Sequence, residues 1–162
     1  MERIIQKEAA IPVSLREVWR AWTTQEGVCT FFAPAANVEL AIGGRYEMLF
    51  DSDAPAGLRG SEDCKVLSFL PDRMLSFDWS APPQYPAARK ERTWVVVELT
   101  AGPLNTTRVE LSHLGWAEGD EWDQVFQYFK RAWDTVLGRL AYRFSHGPID
   151  WNNPYRPAIG SE

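Results

Sequence analysis

Large apolar side chains recur in steps of three and four residues along the last long segment of the chain. At about 100° per residue they fall within roughly a 120° sector, as an amphipathic helix requires. The pattern predicts a helix from Asp120 to Phe144, about 37 Å long. A stripe of this length needs an extended apolar partner, which favours a sheet. The side chains of the stripe are Trp122, Val125, Phe126, Phe129, Trp133, Val136, Leu137, Leu140 and Phe144.

The N-terminal segment predicts one strand followed by two short helices. The strand is expected over Arg3–Ala9. Ser14 and Glu17 then fit a capping box, which starts a helix that runs to about Thr23. A second short helix is predicted over Thr24–Phe32, capped by its first residue. Two short helices joined without a loop would form a bent arm.

From residue 37 to residue 113 the apolar pattern changes to alternation, which is typical of half-buried strands. Glycine, proline and aspartate mark the turns between the strands, and Ser80–Lys90 is predicted to be a long loop with three prolines. Strands that follow one another through short turns pair in antiparallel fashion. The six predicted strands are Asn37–Leu40, Arg45–Phe50, Ser61–Leu70, Met74–Trp79, Arg92–Thr100 and Thr106–His113.

Together these elements predict an α+β fold of the helix-grip type. A curved antiparallel sheet of about seven strands would wrap around the long C-terminal helix, with the two short helices placed after the first strand. No repeat or linker divides the chain, so residues 1–146 are expected to form a single domain. Residues 147–162 read as an irregular tail, in which Trp151 and Tyr155 indicate packing against the domain.

Charge and composition exclude several classes of partner. A net charge of −5 and a pI near 5.1 argue against sequence-independent nucleic-acid binding and against attachment to anionic lipid. Cys29 and Cys64 have no spacing typical of a disulfide framework or a zinc site, and reduced core thiols are expected. The N-terminus has no signal-peptide pattern and no stretch approaches a membrane span. The sequence therefore predicts a cytoplasmic protein without membrane insertion.

Sequence signatures for cofactors and for common catalytic centres are missing. The chain has only two histidines and no usual spacing of histidine, cysteine and carboxylate ligands. It also has no GxSxG, GxGxxG or GxxxxGK[ST] run, which argues against the corresponding hydrolase, dinucleotide and P-loop sites. We therefore expect no metal and no cofactor.

Three segments resemble a known family. They are Pro12–Trp22 (PVSLREVWRAW), Gly43–Tyr46 (GGRY) and Leu111–Trp116 (LSHLGW), the last running into Glu121-Trp122. With the order of elements, they resemble the START-like (SRPBCC, birch-pollen-allergen-like) superfamily, and within it the family named after the activator of heat-shock protein 90 ATPase. The likeness covers residues 3–145 and implies a helix-grip fold. This superfamily includes lipid carriers, polyketide cyclases and co-chaperone domains.

A helix laid over a curved sheet tends to leave a cavity between them, and aromatic residues are abundant in this chain, at 13% with eight tryptophans. Such a cavity would suit an apolar or aromatic ligand held by few polar contacts. The alternative is that the side chains fill this space completely. The residues expected to point there are Trp22, Phe32, Tyr46, Met48, Trp79, His113, Phe129 and Trp133.

Three functions remain open at this point. The first is a non-enzymatic domain that binds or carries a small molecule. The second is an enzyme of the cyclase, dehydratase or hydrolase kind, in which His113 and Tyr46 would polarise a carbonyl or move a proton; His113 could equally orient a ligand or be structural. The third is a protein-interaction or co-chaperone module using the exposed Ser80–Arg92 loop and the tail, with a chaperone as its partner. A homodimer is compatible with each.

Overall fold

The computed structural model describes residues 2–158 and confirms the predicted order of elements. One strand and two short helices come first, six further strands follow, and a long helix ends the fold. The elements are β1 (Ile5–Ile11), α1 (Leu15–Thr23), α2 (Gln25–Val28), β2 (Ala35–Val38), β3 (Tyr46–Leu49), β4 (Val66–Leu70), β5 (Met74–Trp79), α3 (Pro86–Arg89), β6 (Thr93–Ala101), β7 (Thr107–Leu114) and α4 (Asp120–His146), with a short 3-10 turn at Pro103–Asn105.

The seven strands are antiparallel. Five of them form one sheet in the order β1-β7-β6-β5-β4, and β2 pairs with β3 in a separate two-stranded unit, the smaller ladder. Backbone hydrogen bonds join the smaller ladder to the segment before β4, with Tyr46 N donating to Cys64 O at 2.8 Å and Ser61 N to Met48 O at 2.9 Å. The first and last strands of the fold, β1 and β7, are neighbours, so β1 forms one edge of the five-stranded sheet and pairs with a strand about 100 residues later in the chain.

Alternation along the strands directs one face of the sheet toward α4. Val95 and Val97 on β6, and Val109 and Leu111 on β7, are buried, whereas their neighbours along each strand are more exposed. The helix buries the stripe predicted from sequence, and its fully enclosed members are Trp122, Val125, Phe129, Trp133, Leu137 and Leu140. The amphipathic pattern of the helix and the alternating pattern of the strands therefore meet in one core. Within residues 2–158, no helix combines the length and the hydropathy needed to span a bilayer.

Capping interactions confirm the starts of the two short helices but not that of the long one. The Ser14 hydroxyl accepts a hydrogen bond from Glu17 N, and the Thr24 hydroxyl accepts one from Gly27 N. In α4, Gly119 occupies the cap position without a side-chain bond, and Asp120 is the first residue of the helix. Asp120 contributes through its charge, because acidic side chains in the first turn interact favourably with the positive end of the helix dipole.

Four of the predicted elements illustrate where the structure differs from the sequence pattern. The predicted strand Ser61–Leu70 shortens to β4, because Asp63 adopts a left-handed conformation (φ 67°) and turns the preceding residues. The predicted loop Ser80–Lys90 contains α3, which begins at a proline and whose Ala88 N donates to the Glu121 carboxylate. The predicted helix Thr24–Phe32 shortens to α2, followed by turns. The predicted strand Asn37–Leu40 shifts to β2.

The tail packs against the domain over the described part of its length. Trp151 Nε1 donates to Cys29 O at 2.7 Å, which ties the tail to the end of the helical arm. Tyr155 stacks on Tyr142 of α4 at 4.2 Å, and Pro157 lies so close to Gly138 that an added Cβ there would come within 2.6 Å of the proline ring. Residues of the tail therefore contact the helical arm and α4, and residues 159–162 lie outside the described range.

Substitution of two isoleucines, one buried and one exposed, tests the described core of the sheet. Ile11 is fully buried at the end of β1, and Ile42 is 69% exposed in the turn before β3. Ile11→Ala should lower the free energy of unfolding by about 2–5 kcal/mol, because it removes buried methyl groups and leaves a cavity. Ile42→Ala should change it by less than about 0.5 kcal/mol. Urea unfolding of both variants measures the difference, and equal losses would contradict the described core.

Candidate functional site

A cleft of about 680 Å³ lies between the sheet and α4. This volume is within the range of small-molecule sites, roughly 300–1,000 Å³. Its floor consists of four aromatic side chains, Phe32, Trp79, Phe129 and Trp133, each of which is at least nine-tenths buried. Exposed apolar side chains stand at its mouth, namely Phe50, Leu58 and Tyr128. The floor and this part of the mouth are therefore apolar.

The floor is a continuous layer of aromatic contacts. The ring of Trp79 lies 5.6 Å from that of Phe32 and 5.7 Å from that of Trp133, and Trp133 stacks on Phe129 at 6.2 Å, all measured between centroids. Large rigid rings in mutual contact cannot collapse into an adjacent space without disturbing each other. The indole N–H of Trp79 is buried and has no hydrogen-bond partner among the described residues.

A single arginine joins the two walls of the cleft. Arg89, at the end of α3, donates to the carbonyl oxygens of Ala81, Gly57 and Gly60 at 2.6–2.7 Å and lies 3.4 Å from the Glu62 carboxylate. Burial lowers the pKa of Arg89, and the neighbouring Glu62 opposes that shift. Because guanidinium groups hold several acceptors in fixed directions, this residue ties the loop before β4 to the segment after β5. The walls are thereby held on either side of the aromatic floor.

Of the eight residues predicted to line a cavity, the structure brings four to the cleft and places four behind it. Phe32, Trp79, Phe129 and Trp133 form the floor. The remaining four, Trp22, Tyr46, Met48 and His113, are fully buried in the packed core and do not border the cleft. Trp22 points into the core from α1 and the other three from strands, and other side chains separate all four from the opening.

His113 is held by hydrogen bonds at both ring nitrogens. Trp133 Nε1 donates to Nδ1 at 2.9 Å, so Nδ1 must be the unprotonated nitrogen. Nε2 therefore carries the proton and donates to the Thr93 hydroxyl at 2.7 Å. The side chain is completely buried, and burial lowers its pKa to about 3. The imidazole is thus neutral near pH 7 and connects β7 to α4 and β6.

Tyr46 is also fully engaged inside the protein. Its hydroxyl donates to the backbone oxygen of Trp22 at 2.8 Å, and burial raises its pKa well above the ordinary value. Tyr46 lies on β3 and Trp22 on α1, so this bond fastens the helical arm to the smaller ladder. As placed here, Tyr46 and His113 stabilise the fold, and neither borders the cleft.

Sequence reasoning missed the polar side of the cleft. Five arginines border it, at positions 59, 89, 131, 139 and 156. A signal was present in the helix: Tyr128, Arg131, Thr135 and Arg139 follow steps of three and four, which makes a second stripe beside the buried one. Among residues 2–158, no group of three or more histidine, cysteine or carboxylate side chains is placed to hold a metal ion.

The chain matches the family model described as Activator of Hsp90 ATPase homolog 1-like protein over residues 12–145. No curated protein sequence matches it significantly. Solved structures similar to it include MLL2253 from Mesorhizobium loti (22% identity, TM-score 0.71, 91% of this chain and 100% of that one) and the Aha1 dimer from Colwellia psychrerythraea (18%, 0.68, 90% and 98%). DynU16, from the dynemicin biosynthetic locus, is similar over 91% of this chain but only 49% of its own length (21%, 0.68). At these identities the likenesses show the fold alone.

The buried histidine makes a testable contribution to stability. The unfolded chain binds a proton at His113 below about pH 6.5, whereas the folded chain does so only near pH 3. The free energy of unfolding is therefore unaffected by this group above about pH 6.5 and decreases as the pH falls toward 3. The loss due to His113 reaches about 3 kcal/mol at about pH 4. Urea unfolding across this range should show a flatter pH dependence for His113→Gln than for the wild type.

A substitution that involves no titrating group supplies the control. Gln127 is exposed on α4, and Gln127→Ala should retain the wild-type pH dependence. An unchanged slope in His113→Gln would contradict the neutral buried imidazole.

Proposed function

We propose that this chain, which belongs to the family of Activator of Hsp90 ATPase homolog 1-like proteins, binds an apolar or aromatic small molecule in the cleft between the sheet and α4. Its role would be that of a non-enzymatic binding or carrier domain. The observation that carries the proposal is the aromatic floor: four large rings are packed against each other and border an open volume of about 680 Å³.

The chemistry of the floor supports an apolar occupant. Transfer of apolar ligand surface from water onto these rings would be favourable by roughly 25 cal/mol for each Å² buried. Offset and edge-on ring contacts would add to this for an aromatic ligand.

An enzymatic function has less support from the site. A general acid or base needs a pKa near the working pH and contact with the reacting atom. His113 has a pKa of about 3, both of its nitrogens are already bonded, and it is separated from the cleft by Trp133 and Phe129. The Tyr46 hydroxyl is bonded to a backbone oxygen. A cyclase or dehydratase that uses these two groups would require the core to open.

Protein association remains a separate proposal. The Colwellia psychrerythraea relative is described as a dimer, which supports a homodimer for this chain only by analogy. Light scattering over a range of concentrations measures it directly: a homodimer requires twice the mass of the 18.5 kDa chain. A chaperone partner rests on the family description and on no feature of the cleft.

A substitution that fills the cleft tests the binding function. Ala132 borders the cleft on α4, so Ala132→Phe would place a ring in the space above the floor. The affinity for phenylnaphthylamine, a neutral dye that fluoresces in apolar sites, should fall at least about tenfold, which corresponds to about 1.4 kcal/mol. Dye emission on titration measures the affinity.

The matched control lies on the same helix. Gln124 is exposed and does not border the cleft, so Gln124→Phe adds the same ring elsewhere and should leave the dye affinity unchanged. No saturable binding to the wild type, or equal weakening in both variants, would refute the cleft as the site.

A further inference from the structure

The charge of the cleft is opposite to that of the whole chain. Five arginines and one aspartate border it, whereas the chain as a whole carries a net charge of −5. Positive charge gathered in a concave site with low-dielectric walls produces a focused potential, which attracts anions to that site. The charged residues that border it are Asp51, Arg59, Arg89, Arg131, Arg139 and Arg156.

Most of this positive charge has no carboxylate partner. Arg89 is the exception, since it pairs with Glu62 and with three carbonyl oxygens. Arg59 donates through Nε to Ala54 O, which leaves its charge uncompensated. Among residues 2–158, Arg131, Arg139 and Arg156 form no ion pair with an aspartate or glutamate. Arg131 and Arg139 are two turns apart on α4.

The third of these arginines, Arg156, lies in the tail and is held near α4. Arg139 Nε donates to Tyr155 O at 2.9 Å, and the stacking of Tyr155 on Tyr142 holds the preceding backbone against α4. Arg156 is therefore kept close to Arg139, although like charges repel. Burial lowers the pKa of Arg139, and the nearby Arg156 lowers it further. An anion bound between the two guanidinium groups would relieve this repulsion.

We infer that the ligand of this cleft is an amphipathic anion. Its apolar or aromatic body would lie on Trp79, Phe129 and Trp133, and its carboxylate, sulfonate or phosphate head group would lie at Arg131, Arg139 and Arg156. The inference rests on the binding function proposed above and narrows its ligand class. Guanidinium groups suit such head groups, because their paired N–H donors match two oxygen atoms of one anion.

Two dyes that differ by one charged group provide the test. Anilinonaphthalene sulfonate and phenylnaphthylamine share the same rings, and only the first carries an anionic group. The sulfonate should bind at least about tenfold more tightly at low salt. Its affinity should fall as sodium chloride is added, because salt screens exposed charges, while that of the neutral dye should not fall.

Substitutions that each remove one positive charge test where the head group of the ligand binds. Arg131→Gln and Arg156→Gln should each weaken binding of the sulfonate severalfold and leave the neutral dye unaffected. Arg139 is not replaced, because its bond to Tyr155 also holds the tail. Arg73 is exposed in the turn between β4 and β5 and does not border the cleft, so Arg73→Gln removes the same charge as a control and should change neither affinity.

Each outcome separates this inference from the proposed function. If the neutral dye binds and the sulfonate is no tighter, or is insensitive to Arg131→Gln and Arg156→Gln, the inference is overturned and the apolar site stands. If neither dye binds, the proposed function fails as well. Displacement of the sulfonate by dodecanoate, but not by equal concentrations of inorganic phosphate, supports an amphipathic ligand. Equal displacement by phosphate would overturn it in favour of a plain anion site.

Discussion

The hydrogen bond between Trp133 and His113 is the contact on which the arrangement of helix and sheet depends. It joins α4 to β7 inside the core, where no water can replace either partner, so losing one side would leave a buried polar group unpaired. The bond fixes the rotation of α4 about its axis. That rotation decides which side chains of the helix enter the core and which border the cleft.

The same tryptophan forms part of the cleft floor. Its indole N–H is directed to His113, and its ring contacts Phe32, Trp79 and Phe129. A residue held at one edge by a hydrogen bond and at its faces by other rings has little freedom to move into the space beside it. Arg89 holds the walls at the same time. The open volume is thus a consequence of rigid packing around it.

The site indicates the function better than the fold does, because this fold supports many activities. Two observations of different physical kind converge on one place. The aromatic floor favours an apolar body, and the uncompensated arginines at Arg131, Arg139 and Arg156 favour an anionic head. Burial lowers the pKa of His113 to about 3 and both of its ring nitrogens are hydrogen-bonded, so the imidazole is neutral and fully engaged near neutral pH.

The sequence by itself determined the elements and the faces that they bury. Helical spacing in 120–144 and alternation in the strands follow from local geometry, so the helix-grip order, the core stripe and the inward direction of His113 were all readable. Only the tertiary structure decided whether an inward-facing side chain lies at the cleft or deeper in the core. Trp22, Tyr46 and Met48 share the inward direction of Trp79, yet only Trp79 reaches the cleft. Periodicity specifies a direction for each side chain but not what lies in front of it. The arginine group likewise needed the fold, since Arg156 joins Arg131 and Arg139 only when the tail packs on α4.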